Sequence, residues 1–277
     1  MGNCKYCGKS AGLLRNVHEE CEKIYDSGKL QIMSLIRKAV QDTSLLNSLK
    51  ASIKDIAQRH LIKGSEVVSI IIDGWELAVE IAFEDGVLAE GEETNLFKVG
   101  EYFGFTQEHL DRNGAYTKVI RGAVLRQVMN GEIPERIKVT GSFPFNLQKN
   151  EIVVWIFQGV KYFEQQTRTH FQGGSVGASI RVAKGVYFRT GGFRGHPVKN
   201  NETVHADTGV LAFTNKHLYF AGNNKSFRIP YKKIVSFQPY SDGIGIQRDA
   251  ASAKPQSFIT GDGWFSYNLL TNLASME

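Results

Sequence analysis

The sequence predicts an α+β chain: a small cysteine-bearing module, then a helical bundle, then an antiparallel β domain closed by a C-terminal helix. Three observations predict it. All three cysteines fall within the first 21 residues. Between residues 29 and 131 apolar residues recur every three or four positions, the period of a helix with one buried face. From residue 150 onward, short runs rich in Val, Ile and aromatic residues alternate with turn signals, the pattern of strands.

A chain of 277 residues has room for two or three domains. Its 42% apolar and 22% charged content calls for a packed core. The expected divisions are a module over 1–25, a helical domain over 29–131, a linker over 132–149 marked by Pro134, Gly141 and Pro144, and a β domain over 150–277. An odd, clustered set of cysteines does not read as a disulfide framework and suits a reducing compartment. The start, Met1-Gly2-Asn3-Cys4-Lys5-Tyr6, has no apolar run of a signal peptide, and Tyr6 stands where myristoylation wants Ser or Thr. The longest apolar stretch, 67–72, is interrupted by Ser69 and too short for a bilayer. A soluble, cytoplasmic protein is the expectation.

The first element is the cysteine module. Cys4-x-x-Cys7 and His18-x-x-Cys21 supply four ligand-type side chains in two pairs. Two ligands separated by two residues reach one metal from a single turn, and a second pair completes a tetrahedron, the preferred geometry of Zn2+. Gly8 permits the tight turn after the first pair. Four protein ligands leave no open position, so the Zn2+ is expected to be structural, supplying folding energy that so short a segment cannot draw from a core. The alternative is a set of free thiols beside a solvent histidine. Through Cys4, Cys7, Gly8, Lys9, His18 and Cys21 the segment resembles the short zinc ribbons at the N-terminus of many bacterial multidomain proteins. Cysteine usually fills all four ligand positions there, with His18 a permitted variant. The resemblance implies binding of nucleic acid or protein.

Helices follow. Leu30, Met33, Ile36 and Val40 form one stripe. Leu46, Leu49, Ile53, Ile56 and Ala57 form the next, expected to end at Gly64. Val68, Ile71, Ile72, Trp75, Val79 and Ala82 form the strongest. Leu96, Val99 and Phe103 close at Gly104, and Ile120, Val124 and Val128 close at Gly131. Such one-sided helices must pack into a bundle. Between two of them lies Phe83-Glu84-Asp85-Gly86, followed by Glu90, Glu92 and Glu93. Asp85-Gly86 makes a turn, and the glutamates complement the dipole of the next helix. The alternative is a cation site built from Asp85, Glu90 and Glu93, though without the alternating ligands of an EF-hand loop. This acidic turn, leading into a helix that ends in Phe103-Gly104-Phe105, resembles the TerB-like domain of tellurite-resistance and stress-response proteins over residues 65–131. That resemblance implies metal binding on the same acidic residues.

The strands are expected at 151–157, 182–189, 229–231, 234–237 and 257–260, with a hairpin at 211–220 around Thr214-Asn215-Lys216. Gly173-Gly174, Gly191-Gly192 and Gly243-x-Gly245 read as turns between them. Trp264, Tyr267, Leu270 and Leu273 carry helical spacing to the end. Many short strands argue a sandwich or barrel. The stretch Asp207-Thr208-Gly209-Val210-Leu211-Ala212-Phe213-Thr214-Asn215-Lys216-His217-Leu218-Tyr219-Phe220, continued by Phe227-Arg228-Ile229-Pro230-Tyr231 and Ile234-Val235-Ser236-Phe237, resembles the central hairpin of GRAM and bacterial PH-like domains. It implies a strongly bent sheet closed by a helix, binding phosphoinositides, peptides or neighbouring domains.

The net charge of +5 is uneven: residues 151–277 hold 14 Lys/Arg against 8 Asp/Glu, a net of +6, and residues 1–150 hold 19 against 20, a net of −1. Arg181, Lys184, Arg189 and Arg194 offer a candidate anion-binding surface beside the glycine pairs, with a solvated sheet face as the alternative. Neither Gly-x-Ser-x-Gly nor His-Glu-x-x-His occurs, and with the cysteines assigned to metal no nucleophile–base pair can be named. The expected function is therefore non-catalytic recognition or sensing through a protein partner, in a stress or defence setting implied by the resemblances. The alternatives are a nucleic-acid-binding regulator or an anionic-lipid-binding protein.

Overall fold

The computed structural model describes every residue except Met1, Leu13, Leu14, Thr140, Lys184, Gly185, Ala251, Ser252 and Glu277, and for the remainder of residues 166–201 it describes the backbone only. The chain divides into two compact units, Met1–Asn130 and Gly131–Glu277.

The first unit holds the cysteine module and six helices. α1 spans Glu19–Gln41 and leads through a 3-10 turn, Thr43–Leu45, into α2, Leu46–Arg59. α3 spans Gly64–Ala82, α4 Glu90–Phe103, α5 Gln107–Leu110 and α6 Ala115–Met129. The core is one apolar cluster to which every helix contributes, with Ile32, Ile36, Trp75, Val79, Leu96, Val119 and Ala123 fully buried. Trp75 sits at its centre. Its indole N–H donates to the Leu96 carbonyl at 2.9 Å, so the one polar atom of this side chain is satisfied inside the core. α1 crosses α3 at Gly74, where a methyl group would lie 3.0 Å from the Met33 Cα and 3.1 Å from the Ile36 Cβ.

Four expectations are corrected in this unit. α1 begins at Glu19, ten residues earlier than its apolar stripe suggested, because its first turn belongs to the cysteine module. Its buried face is Gly28, Ile32, Ile36, Ala39 and Val40, so Leu30 is exposed, two positions off the stripe. Gly64 opens α3 instead of ending α2. α2 stops at Arg59, and the left-handed position after it falls to Leu61 at φ 57°. Val68 likewise points to solvent, and Ile70 is buried in its place. Gly104 does take the left-handed cap that ends α4, at φ 73°.

The second unit is a curled, half-barrel antiparallel sheet closed by a helix. Its strands are β1 Val153–Ala183, β2 Val186–Thr214, β3 His217–Gly222, β4 Ser226–Pro230, β5 Ile234–Pro239, β6 Gly243–Arg248 and β7 Gln256–Ile259. They are ordered β4-β3-β2-β1-β7-β6-β5. The early part of β1 is paired on both sides: Lys161 lies opposite Thr208 of β2 and Ile259 of β7. An aromatic cluster fills the concave face, with the Tyr162 ring 5.1 Å from Phe220 and 5.2 Å from Phe258. α7, Gly263–Ser275, buries Phe265, Leu269, Leu270 and Leu273, and Phe265 meets Trp155 edge to face at 5.0 Å. Trp264 and Tyr267, expected on this face, are exposed and half-buried.

The glycine-rich stretches are strand, not turn. Gly173 and Gly174 lie in β1 opposite Gly195 and Arg194, and Gly191 and Gly192 lie in β2 opposite Gly177 and Val176. A missing Cβ frees a backbone to turn, but it does not prevent ladder pairing. Gly243 lies in β6 because the chains crowd there: a Cβ would collide with the Phe258 carbonyl oxygen. Residues 132–149 contain no helix or strand among those described. They belong to the second unit, and near their C-terminal end the Phe145 ring lies 5.2 Å from Tyr219 of β3.

Candidate metal centre

The N-terminal module is a compact turn laid against the start of α1. Asn3 and Ser10 pair as an isolated antiparallel bridge, and between them the chain doubles back. Gly8 donates its N–H to the Cys4 carbonyl at 2.9 Å, and Cys4 donates to the Lys9 carbonyl at 2.8 Å. Gly8 sits at φ 74°, a conformation with a steric cost for other residues, so the reading of Gly8 from sequence has its physical basis here. These bonds place Cys4 and Cys7 on one side of the turn. The second pair comes from the helix: His18 is the residue before α1, and Cys21 lies in its first turn. The Tyr6 ring stacks on Tyr25 of α1 at 4.5 Å and pins the turn to the helix. Nothing in the spacing of the two tyrosines announces this contact in the sequence.

The four ligand atoms of Cys4, Cys7, His18 and Cys21 lie within 4.8 Å of one another. Among the described residues no other group of three or more His, Cys, Asp or Glu converges in this way. The His18 Nδ1 is 3.4 Å from the Cys7 sulfur and 3.7 Å from the Cys21 sulfur. A tetrahedral zinc with bonds of about 2.3 Å to sulfur and about 2.0–2.1 Å to nitrogen holds S and N about 3.6 Å apart. These two edges straddle that value and are compatible with such an ion. The other ring nitrogen, Nε2, lies 2.9 Å from the Ser10 carbonyl oxygen. A carbonyl accepts only, so Nε2 carries the proton and donates, leaving Nδ1 directed at the sulfurs. Ser10 thereby orients a ligand, a role invisible in the sequence because it is played by the backbone.

The electrostatics favour a cation at the same point. Burial raises the Cys4 thiol, but backbone N–H groups of Cys7, His18 and Tyr6 outweigh it and bring Cys4 down to about 6. Burial and the neighbouring Cys7 and Cys4 sulfurs push Cys21 up to about 11. The Ser10 carbonyl, then the Cys7 sulfur, hold His18 above the ordinary imidazole value. One thiolate is therefore welcome and the last is resisted, the behaviour of a like-charge cluster that a divalent ion would neutralise.

The other candidate residues are placed differently. The Asp85 carboxylate accepts the Val87 N–H at 3.0 Å and closes its own turn. Glu90 is exposed at the start of α4. Glu93 is buried and forms an ion pair with Arg126, whose guanidinium also donates to the Leu88 carbonyl at 2.8 Å. A carboxylate neutralised by a guanidinium has little left to offer a cation, and these three residues do not converge. Arg181 of β1 and Arg189 of β2 lie one diagonal apart in the ladder, with Arg181 opposite Tyr187 and Arg189 opposite Ser179, and Arg194 lies opposite Gly174. Their side chains, and Lys184 entirely, lie outside the described residues.

A second polar cluster, also unread in the sequence, ties the residues just before β1 to the hairpin of β2 and β3. The Glu151 carboxylate accepts hydrogen bonds from the Thr214 hydroxyl at 2.6 Å, His217 Nδ1 at 2.8 Å, the Tyr219 hydroxyl at 2.8 Å and the Gln148 N–H at 2.7 Å. Although burial acts to raise it, these donors hold the Glu151 carboxyl below the usual value. With all its lone pairs engaged by structure, this group is a lock and not a reactive site. No helix among the described residues is long and apolar enough to cross a membrane. No family model, no curated protein and no solved structure matches this chain.

Proposed function

We propose that Cys4, Cys7, His18 and Cys21 bind one structural Zn2+, and that the protein is a non-catalytic recognition or sensing protein acting through a protein partner. The observation that carries the zinc reading is the convergence of four ligand atoms within 4.8 Å, with His18 already oriented through Ser10. Four protein ligands complete a tetrahedron and leave no position for substrate, so the ion would stabilise the turn that α1 presents. The zinc-ribbon reading of residues 1–25 rests on this pattern.

What supports a TerB-like reading of the helical region is its acidic turn between α3 and α4. What supports a GRAM/PH-like reading of the second unit is a seven-stranded antiparallel sheet, curled and followed by a closing helix. Folds of both kinds carry many functions, so the partner reading rests on charge: a net of +6 over residues 151–277 is modest for nucleic acid or membrane.

Two measurements test the proposal. Freshly purified protein, handled without chelator, is expected to hold one zinc per chain by elemental analysis, and Cys7→Ser to hold far less with α1–α6 still helical by circular dichroism. Zinc-free wild-type protein would remove the metal reading. Titrations against anionic vesicles and against mixed DNA and RNA, at physiological salt, are expected to show no binding tighter than about 10 μM, because attraction between exposed charges is screened beyond about 8 Å. Tighter binding to either would replace the protein partner with that ligand.

A further inference from the structure

The helical unit carries a groove of about 480 Å3 along α2 and the start of α3. Its walls include Ile53 and Ala57 of α2, Ile62 of the connecting turn, Val67 and Ile71 of α3, and Phe103 at the end of α4. The volume falls in the range of small-molecule sites, and the exposed lining is mostly carbon. The charged residues on it are two lysines and no acid: Lys50 and Lys54, four apart on one face of α2 and both exposed. Neither is engaged in an ion pair among the described residues. Lys50 instead rests over the Tyr102 ring, 4.5 Å from its centre. This pair stands out in a half of the chain whose net charge is −1. Buried polar groups to orient a polar ligand are lacking, so a sugar or nucleotide finds no match.

We propose that this groove binds a monomeric anionic amphiphile, a medium-chain fatty acid, with its alkyl chain against Ile53, Ala57, Val67 and Ile71 and its carboxylate at Lys50 and Lys54. The apolar walls supply affinity by removing methylenes from water. The lysine pair sets the sign of the head group, and a single short groove holds one chain, not a bilayer surface.

The probe is dodecanoate below its micelle concentration, added to the 277-residue chain and read by methyl NMR and calorimetry. Saturable one-to-one binding is expected, with shifts centred on the methyls of Ile53, Ile62, Val67 and Ile71. Dodecylammonium, with the same chain and opposite charge, is expected to bind more weakly. K50Q with K54Q should weaken dodecanoate roughly two- to thirtyfold, the worth of two exposed ion pairs. Ala57→Trp should fill the groove and abolish binding, and Val67→Trp, at a half-exposed wall position, does the same where Ala57→Trp fails to fold. Shifts centred elsewhere, non-saturating uptake, or equal binding of the two head groups would overturn the proposal. Binding to vesicles containing anionic lipid, without binding of monomeric dodecanoate, would overturn it as well.

Discussion

Replacing Glu151 should loosen the second unit, and the size of the effect can be worked from its four hydrogen bonds. The side chain is fully buried, and His217, its closest ionisable neighbour, is 9% exposed. In Glu151→Gln one carboxylate oxygen becomes an NH2 group. The new amide can direct that NH2 at Thr214 and His217, because a hydroxyl rotates and an imidazole changes tautomer to accept. Its oxygen then keeps the Tyr219 and Gln148 donors. The loss is mainly the charge assistance of those bonds, about 1–2 kcal/mol. Glu151→Ala has no such escape. It leaves Thr214, His217 and Tyr219 without their shared acceptor, and a cost of about 3–5 kcal/mol is expected. The pH dependence has a definite sign. A carboxyl held below its unfolded value of 4.5 contributes stability that is fully present above about pH 4.5 and is lost as pH falls through the lower folded value. Hydrogen exchange of peptides from β2 and β3, corrected for intrinsic rates, should show wild-type protection falling below pH 4.5, with a flatter profile in Glu151→Gln. Equal protection in wild type and Glu151→Ala would refute the reasoning, since a buried carboxylate with four bonds cannot be removed without cost.

The remaining predictions concern packing, charge and chain division. Gly74→Ala gains about 1 kcal/mol of helix propensity but forces α1 from α3 by a few tenths of an ångström, so a net loss of up to about 2 kcal/mol is expected, read as lower denaturant midpoint by Trp75 fluorescence. Arg126→Ala removes one guanidinium from buried Glu93, whose other interactions remain, and should cost about 1.5–3 kcal/mol; the double change with Glu93→Ala should recover part of it, a coupling absent if the pair is unimportant. Limited proteolysis should cut first within residues 132–142, which carry no helix or strand among those described and precede the Phe143–Phe145 ring contact, and early cuts within α3 or β3 would refute that division.

The convergence of Cys4, Cys7, His18 and Cys21 was legible from spacing alone, because the constraint is local: two residues between members of a pair permit one turn to present both. Core faces of helices were legible where the stripe was long. Val79, Leu96, Val99, Val124 and Val128 are buried as the period requires. Leu30 and Val68 were misplaced because periodicity gives a repeat and leaves its phase to be set by what packs against it. Gly64 was misread because a glycine that ends a helix and one that opens the next look alike until the neighbouring backbone is seen. The glycines of β1, β2 and β6 failed for a related reason: conformational freedom permits a turn, and cross-strand pairing overrides the permission.

The sequence by itself determined which residues could bind metal, that a helical region precedes the strands, and that a further helix follows the last strand. Those features depend on residue type, spacing and period, all properties of neighbours along the chain. The tertiary structure alone decided that a backbone carbonyl at Ser10 orients His18, that Arg126 neutralises Glu93 across 33 residues, that Glu151 gathers donors from β2 and β3, and that two lysines stand beside an apolar groove. Such relations join groups distant in sequence, and short-range pattern carries no information about which distant groups folding will bring together.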